Sequence, residues 1–158
     1  MREMRRKDRE ITKDEAMELL KNAEYGILAT ISTDNTPYAV PMNYVLEDNA
    51  IYIHGASVGH KIDNMKSNPN VAFTVVGRTK PVHEGNDYST FYESVMVFGK
   101  ARFVEDMDEL KSSLHTLTAK YFPNGMAEFE KILGSYDLSR LHVIAIDIAH
   151  VTGKAKRK

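Results

Sequence analysis

Apolar residues recur along this chain with two periods. Near the start, Ala16, Leu19, Leu20 and Ala23 fall on one face of a helix. Thr12 and Glu15 precede them with the spacing of a capping box, in which the hydroxyl accepts a backbone N–H and the carboxylate reaches back. From residue 25 the period shortens. "YGILATI" (25–31) is a short apolar run and "STDNTP" (32–37) is turn chemistry. "YAVPMNYVL" (38–46) alternates, with Tyr38, Val40, Met42, Tyr44 and Leu46 on one face and Ala39, Pro41, Asn43 and Val45 on the other. Pro41 cannot donate to a ladder, so the strand has an edge or a bulge there. Glu47-Asp48-Asn49 turns into "AIYIH" (50–54), and the segment predicts an antiparallel meander.

A short helix is predicted over about 59–66, with Ile62 and Met65 inward, and "NPN" (68–70) stops it. "VAFTVVG" (71–77) reads as a strand. "RTKPVHEGNDYST" (78–90) is polar, contains Pro and Gly, and reads as a surface loop that is free to cover a substrate. "FYESVMVFGKARFV" (91–104) predicts a long strand. Asp106 and Glu109 repeat the cap spacing, and a helix follows to about Tyr121. "FPNG" (122–125) breaks it before a further short helix over 126–134. "RLHVIAIDI" (140–148) is the last strand, with His142, Ile144, Ile146 and Ile148 on one face. Six short strands with few helices argue against a doubly wound parallel sheet. A mostly β fold with peripheral helices, closed as a small antiparallel barrel, leaves fewer open edges.

The 158 residues, 42% hydrophobic and 27% charged, suit one domain over 1–158, with 1–11 and 153–158 as flexible or arm-like termini. A formal net charge of −1 gives no argument for nucleic acid or an acidic membrane surface. Arg5-Arg6-Lys7 and the closing Lys154, Lys156, Arg157 and Lys158 read as solvated tails. The chain has no cysteine, which excludes disulfides, thiolate zinc sites and thiol redox chemistry. It has neither an apolar run long enough to cross a membrane nor an apolar signal-peptide core, so a cytoplasmic location is expected.

The densest chemistry lies in "IYIHGASVGHKIDNM" (51–65). An apolar strand ends on His54; Gly55, Ala56, Ser57, Val58 and Gly59 follow; His60 and Lys61 open a helix. The first turn of a helix offers free N–H groups and a positive dipole end. Small residues let an anion approach them, and a lysine there is disfavoured unless an anion is present. The stretch therefore suits a phosphate cradle. It also suits a glycine- and serine-rich loop with a solvated lysine. It matches neither the triphosphate-binding loop nor the dinucleotide fingerprint.

Taken with "MRRKDREIT" (4–12), "YGILATIS" (25–32), "PMNYV" (41–45), "NPNVAFTV" (68–75), "YESVMVFGKARFV" (92–104) and "VIAIDIAHVTGK" (143–154), this stretch resembles the flavin-binding split-barrel superfamily of pyridoxamine 5′-phosphate oxidase-like proteins. Within it the chain is most similar to the 5-nitroimidazole antibiotic resistance branch. The resemblance implies a six-stranded antiparallel split barrel and a homodimer with FMN at its interface. It implies an oxidoreductase that reduces a small-molecule acceptor such as a nitroaromatic with electrons from a nicotinamide cofactor. Pro41, Met42 and Asn43 match positions along the flavin ring. Ile53, His54, Gly59, His60 and Lys61 match phosphate and ribityl positions. Ser94 matches a residue that reaches the flavin from the partner, and His54 a candidate catalytic histidine. Two departures stand out. The chain lacks the C-terminal arginine segment of the biosynthetic oxidase and any tryptophan, which counts against vitamin B6 biosynthesis. Position 60 is histidine where relatives often carry arginine.

No metal site is expected, since His54 and His60 lack an obvious carboxylate partner short of Glu93 or Asp63. Some split-barrel relatives bind haem, and a histidine here could be an axial ligand. The rival to an enzyme is thus a flavin- or haem-binding protein without turnover. His83 is expected to be exposed and His142 to be a satisfied core residue. The tyrosines at 38, 44, 52, 88, 92 and 121 suit core or interface packing better than ring stacking.

Overall fold

Thr12 caps the first helix as its spacing predicts. In the computed structural model, which describes residues 3–135, 137, 138 and 141–158 (backbone alone at 84 and 87), Thr12 Oγ1 accepts the Glu15 N–H at 3.2 Å. The Glu15 carboxylate accepts the Thr12 N–H at 2.9 Å. Helix α1 (Lys13–Asn22) then buries Ala16 and Leu20.

The strands are β1 (Glu10–Ile11), β2 (Gly26–Ile31), β3 (Pro37–Met42), β4 (Val45–Glu47), β5 (Ala50–Ala56), β6 (Asn70–Glu84), β7 (Asp87–Phe103) and β8 (Leu141–Lys156). The remaining helices are α2 (His60–Ser67), α3 (Met107–Tyr121) and α4 (Met126–Ser135). The sheet runs β3-β2-β6-β7-β8-β5-β4, with β1 paired to β8. Every pairing is antiparallel. The two ends of this path, β3 and β4, are separated in sequence only by Asn43 and Tyr44. The sheet must therefore curl until its ends meet. Counting β3 and β4 as one interrupted strand, and leaving aside the short β1, gives the expected six-stranded split barrel. Pro41 lies on an end strand that pairs only with β2, where its missing N–H costs no ladder bond.

Three expectations need correction. Residues 25–54 are not a simple meander, because β3 and β4 lie at opposite ends of the path. Residues 78–90 are not a loop. β6 and β7 continue past a bulge between Val76 and Thr79 to pair Lys80 with Phe91 and Val82 with Ser89, around a turn at Gly85-Asn86. Gly85 takes φ +62°, which suits glycine. The termini are not wholly arm-like either. Glu10 and Ile11 pair with Lys154 and Gly153, and β8 runs on to Lys156. Arg140, expected to open the last strand, lies outside the described residues, as do Met1 and Arg2.

Two apolar clusters flank β8. Inside the barrel, Leu28, Ile53, Phe73, Val75, Val97, Ile144 and Ile146 pack with Tyr44 and Leu20. On the other face, Val143 and Ala145 pack with Val45 and with Leu110, Leu114 and Leu117 of α3. β8 is thus buried on both sides over 143–146, which is why "VIAI" reads as a continuous apolar run. Each fully buried large side chain contributes roughly 1.5–3 kcal/mol.

Candidate functional site

The residues around the α2 start form one surface. β5 buries Ile53 completely and turns His54 out to solvent. Ile53 therefore has only its backbone to offer a ligand. Gly59, the N-cap of α2, takes φ +132°, a conformation that side-chain-bearing residues rarely adopt. It brings no side chain to the helix start. Its carbonyl accepts from Ile62 and Asp63, while no side chain caps the turn. The N–H groups of His60 and Lys61 are therefore open to a ligand. Lys61 folds back over Gly55, whose hypothetical Cβ would lie 3.6 Å from its Nζ. Among the described residues Lys61 has no ion-pair partner.

His60 is held rather than loose. Its Nε2 lies 2.8 Å from Ser32 Oγ, and its ring sits 4.3 Å from that of Tyr38, centroid to centroid. Both partners come from the β2–β3 hairpin, so the α2 start is tied to the strand that carries Pro41 and Met42. Inside, buried Asn64 donates to Thr30 Oγ1 at 2.9 Å and pins the same helix to β2. Although its ring reaches solvent, the packed strands around His54 partly desolvate it and lower its pKa from the ordinary value, since no neighbour compensates the charged form.

Pro41 and Asn43 are exposed and Met42 is half-buried; together with Glu24 and Tyr25 they line a surface cavity of about 400 Å³. The bend behind it is fixed from α3. The Tyr44 N–H donates to Tyr121 Oη at 3.0 Å. The Tyr121 hydroxyl, at 2.7 Å from Glu24 O and 2.9 Å from Tyr44 O, donates to one of these carbonyls at a time. Lys120 Nζ donates to Ala23 O at 2.9 Å and Tyr44 O at 3.1 Å, and lies 4.1 Å from the Tyr44 ring centroid. Burial lowers the Lys120 pKa. Tyr44 itself donates to the Leu20 carbonyl.

Ser94 stands apart from these residues. It pairs with Lys154 on β8, whereas His54 pairs with Val143. The two registers are separated along β8 by roughly 35 Å at the usual strand rise.

A family model described as pyridoxamine 5′-phosphate oxidase matches residues 12–155. The chain belongs to the pyridoxamine 5′-phosphate oxidase-like family. The family's fold recurs in solved structures. A proposed 5-nitroimidazole antibiotic resistance protein from Bacteroides thetaiotaomicron superposes with a TM-score of 0.77 at 28% identity, covering 92% of this chain and 85% of that one. A flavocytochrome from Azotobacter vinelandii superposes at 0.83 with 16% identity, over 99% of this chain and 73% of that one. An FAD- and haem-binding protein from Mycobacterium smegmatis superposes at 0.77 with 19% identity, over 93% and 72%. The last two show the shared fold alone. No curated protein matches the chain by sequence.

Sequence reasoning missed Ser32 as a partner of His60, and Lys120 and Tyr121 as the clamp on Tyr44. These contacts join residues 28 and about 76 positions apart, and no local pattern signals them. Tyr38 is half-buried and lies against His60. His83 is exposed and stacks on Tyr88; His142 packs edge-on against Phe103. Among the described residues no three His, Asp or Glu side chains gather as a metal site requires, and no helix is long and apolar enough to cross a membrane.

Proposed function

We propose that this protein is an FMN-dependent oxidoreductase that reduces a small acceptor, such as a nitroimidazole or another nitroaromatic, with electrons from a nicotinamide cofactor. The observation that carries this reading is the open start of α2. Gly59 at φ +132° leaves the turn without a side-chain cap, and Lys61 stands there with no ion-pair partner among the described residues, Asp63 of the same turn included. A cation in a first turn opposes the helix dipole, and a phosphate removes that conflict. When bound, FMN supplies the two-electron carrier that the side chains of this chain lack. Lys61 and the N–H groups of His60 and Lys61 hold the phosphate. Ser32 and Tyr38 fix the His60 ring beside it. The backbone of Pro41, Met42 and Asn43 borders the ring, and Ile53 contributes backbone only. His54 faces the acceptor and either orients it or gives it a proton.

In this reading the protein is a cytoplasmic homodimer with the cofactor at its interface. The separation of Ser94 from His54 along β8 favours this, because one chain is poorly placed to bring both to one ligand. Val76, opposite Ser94 on β6, and Met96 two residues on are exposed hydrophobics suited to cover by a second copy.

The test is the visible spectrum of the purified protein, followed by FMN titration and nicotinamide-dependent reduction of a nitroimidazole. Flavin bands with turnover uphold the reading. Flavin bands without turnover under any reductant reduce it to flavin binding. A second reading, a haem-binding protein, is favoured by one observation: His54 is solvent-facing and its lowered pKa keeps the imidazole neutral, as a metal ligand must be. A Soret band lost in His54→Ala would establish it.

A further inference from the structure

The second concentration of charge lies far along β8, on the hairpin extension that sequence reading took for a loop. A cavity of about 440 Å³ opens there, with Phe91 and Tyr92 of β7 among its lining residues. Arg78 and Lys80 of β6 line one side, and Lys156, Arg157 and Lys158 the other. Among the described residues Glu93 is the one Asp or Glu side chain lining it, and Arg157 Nε already holds Glu93 at 2.8 Å. Arg157 also reaches Glu15 at 2.7 Å. Lys156 donates to Ser89 Oγ and lies 5.8 Å from the Phe91 ring centroid. Lys154 lies 5.9 Å from the Tyr92 ring centroid, and Arg9 donates to the Tyr92 hydroxyl at 3.4 Å. Arg78 and Lys80 have no ion-pair partner among the described residues. A chain whose formal net charge is −1 has thus gathered a local excess of cations at this end of the sheet.

We infer that this cavity binds the phosphate-bearing end of a planar ligand, and that the ligand is a phosphorylated nicotinamide reductant, NADPH rather than NADH. Arg78 and Lys80, unpaired among the described residues, favour the 2′-phosphate that NADPH carries and NADH lacks. Phe91, directly opposite Lys80 on β6, offers a stacking face to an adenine ring. The volume lies in the range of small-molecule pockets and suits a mononucleotide moiety. The surroundings already carry a positive potential: the Arg9 hydrogen bond and Lys154 lower the Tyr92 phenol below its ordinary pKa. Tyr92 lies two residues before Ser94 on the same face of β7, about 7 Å away. The assignment of the ligand as reductant rests on the proposed flavin reaction, in which Ser94 serves the partner's ring. The phosphate preference of the cavity does not.

The experiment uses the full chain loaded with FMN, and Arg78→Gln/Lys80→Gln, whose exposed side chains leave the fold intact. Binding of 2′,5′-ADP and of adenosine is measured by calorimetry at low and high salt, with NADPH and NADH oxidation in parallel. The expected result is salt-sensitive binding of 2′,5′-ADP, tighter than adenosine and weakened about tenfold or more in the variant. The KM for NADPH should be lower than for NADH in the wild type, with the difference removed in the variant and kcat retained. Equal 2′,5′-ADP affinity in both proteins, or adenosine bound as tightly, overturns the inference. So does an oligonucleotide bound more tightly than the mononucleotide, which would make the surface a nucleic-acid contact. Phosphate-dependent 2′,5′-ADP binding lost in the variant, with no oxidation of either nicotinamide, upholds the cavity's preference and overturns the reductant assignment together with the proposed reaction.

Discussion

Helices α2 and α3 each follow a strand of the barrel, and they begin in opposite ways. α3 is closed by its own residues. Asp106 accepts the N–H groups of Asp108 and Glu109 at 3.1 and 2.8 Å, and its first turn is acidic, as the dipole favours. Glu109 is held in turn by Arg102 at 2.6 and 3.0 Å and by the Tyr52 hydroxyl at 2.8 Å. α2 begins at a glycine with positive φ, lacks a side-chain cap, and opens with His60 and Lys61. One helix start is complete without a ligand. The other leaves its first N–H groups without a side-chain cap. The contrast separates a terminus closed by its own side chains from one whose first N–H groups no side chain takes up.

The comparison breaks most visibly at Lys61. Lys61→Ala should weaken FMN binding by about 1.5–3 kcal/mol, the range for a hydrogen bond to a charged group. Its urea midpoint without ligand should not move, because Lys61 holds nothing in the fold. Fluorescence titration and urea melts read the two effects separately. Unchanged FMN affinity would leave α2 as an ordinary loop-to-helix junction.

Asp106→Ala is the reciprocal change. It should cost about 0.5–2 kcal/mol of stability, as loss of an N-cap does, and leave FMN affinity untouched. Acid should act on the same side of the barrel. Glu109 has its pKa lowered first by Arg102, against an opposing desolvation, with Tyr52 adding to the lowering. The unfolded chain then binds more protons than the folded one as pH falls from the ordinary carboxylate range. The stability that Glu109 contributes is full above about pH 4.3 and is lost through its lower folded pKa. Glu109→Gln should flatten that part of the stability–pH curve. Denaturant melts between neutral and acid pH check both.

Ser32→Ala sharpens the α2 side with a smaller effect. It frees the His60 ring from its 2.8 Å contact without touching a charge. A loss in FMN affinity of about 0.5–1.5 kcal/mol, the net worth of one hydrogen bond, is expected by titration. No loss would show that His60 takes no part in holding the ligand.

How much of this was legible depends on where the partners lie. The capping box at Thr12 and Glu15 needs only residues three apart, and its spacing alone predicts it. The open α2 start was legible for the same reason: Gly59, His60 and Lys61 are consecutive. The α3 cap was half legible, since Asp106 caps as predicted while Glu109 turns to Arg102 instead of reaching back. The β6–β7 extension was misread although Gly85-Asn86 between pairing segments is a hairpin signal. Most of its described residues are exposed, so no apolar alternation marks them as strand. The cations of the hairpin cavity come from residues 78–80 and 156–158, which only the pairing of β6, β7 and β8 brings together. The closure of the barrel through β3 and β4 is likewise a property of the whole sheet.

The smallest effect is the one that decides what His54 does. Burial of its surroundings lowers its pKa, so the folded ring binds fewer protons than the unfolded one below about pH 6.5. The associated stability is full above that pH and falls as pH drops through the folded value. The ring is solvent-facing, which keeps this contribution slight, and His54→Gln should remove a shallow slope in urea stability between pH 7.5 and 5. The same shift separates the two chemical roles. A proton donor must be charged, so acceptor turnover at saturating FMN should rise as pH falls through the His54 pKa, and this rise should vanish in His54→Gln. An axial ligand or an orienting contact must be neutral, so haem or acceptor binding should instead strengthen as pH rises through the same range. Turnover with an unaltered pH profile in the variant would remove His54 from proton transfer and leave the flavin's surroundings to the α2 start alone.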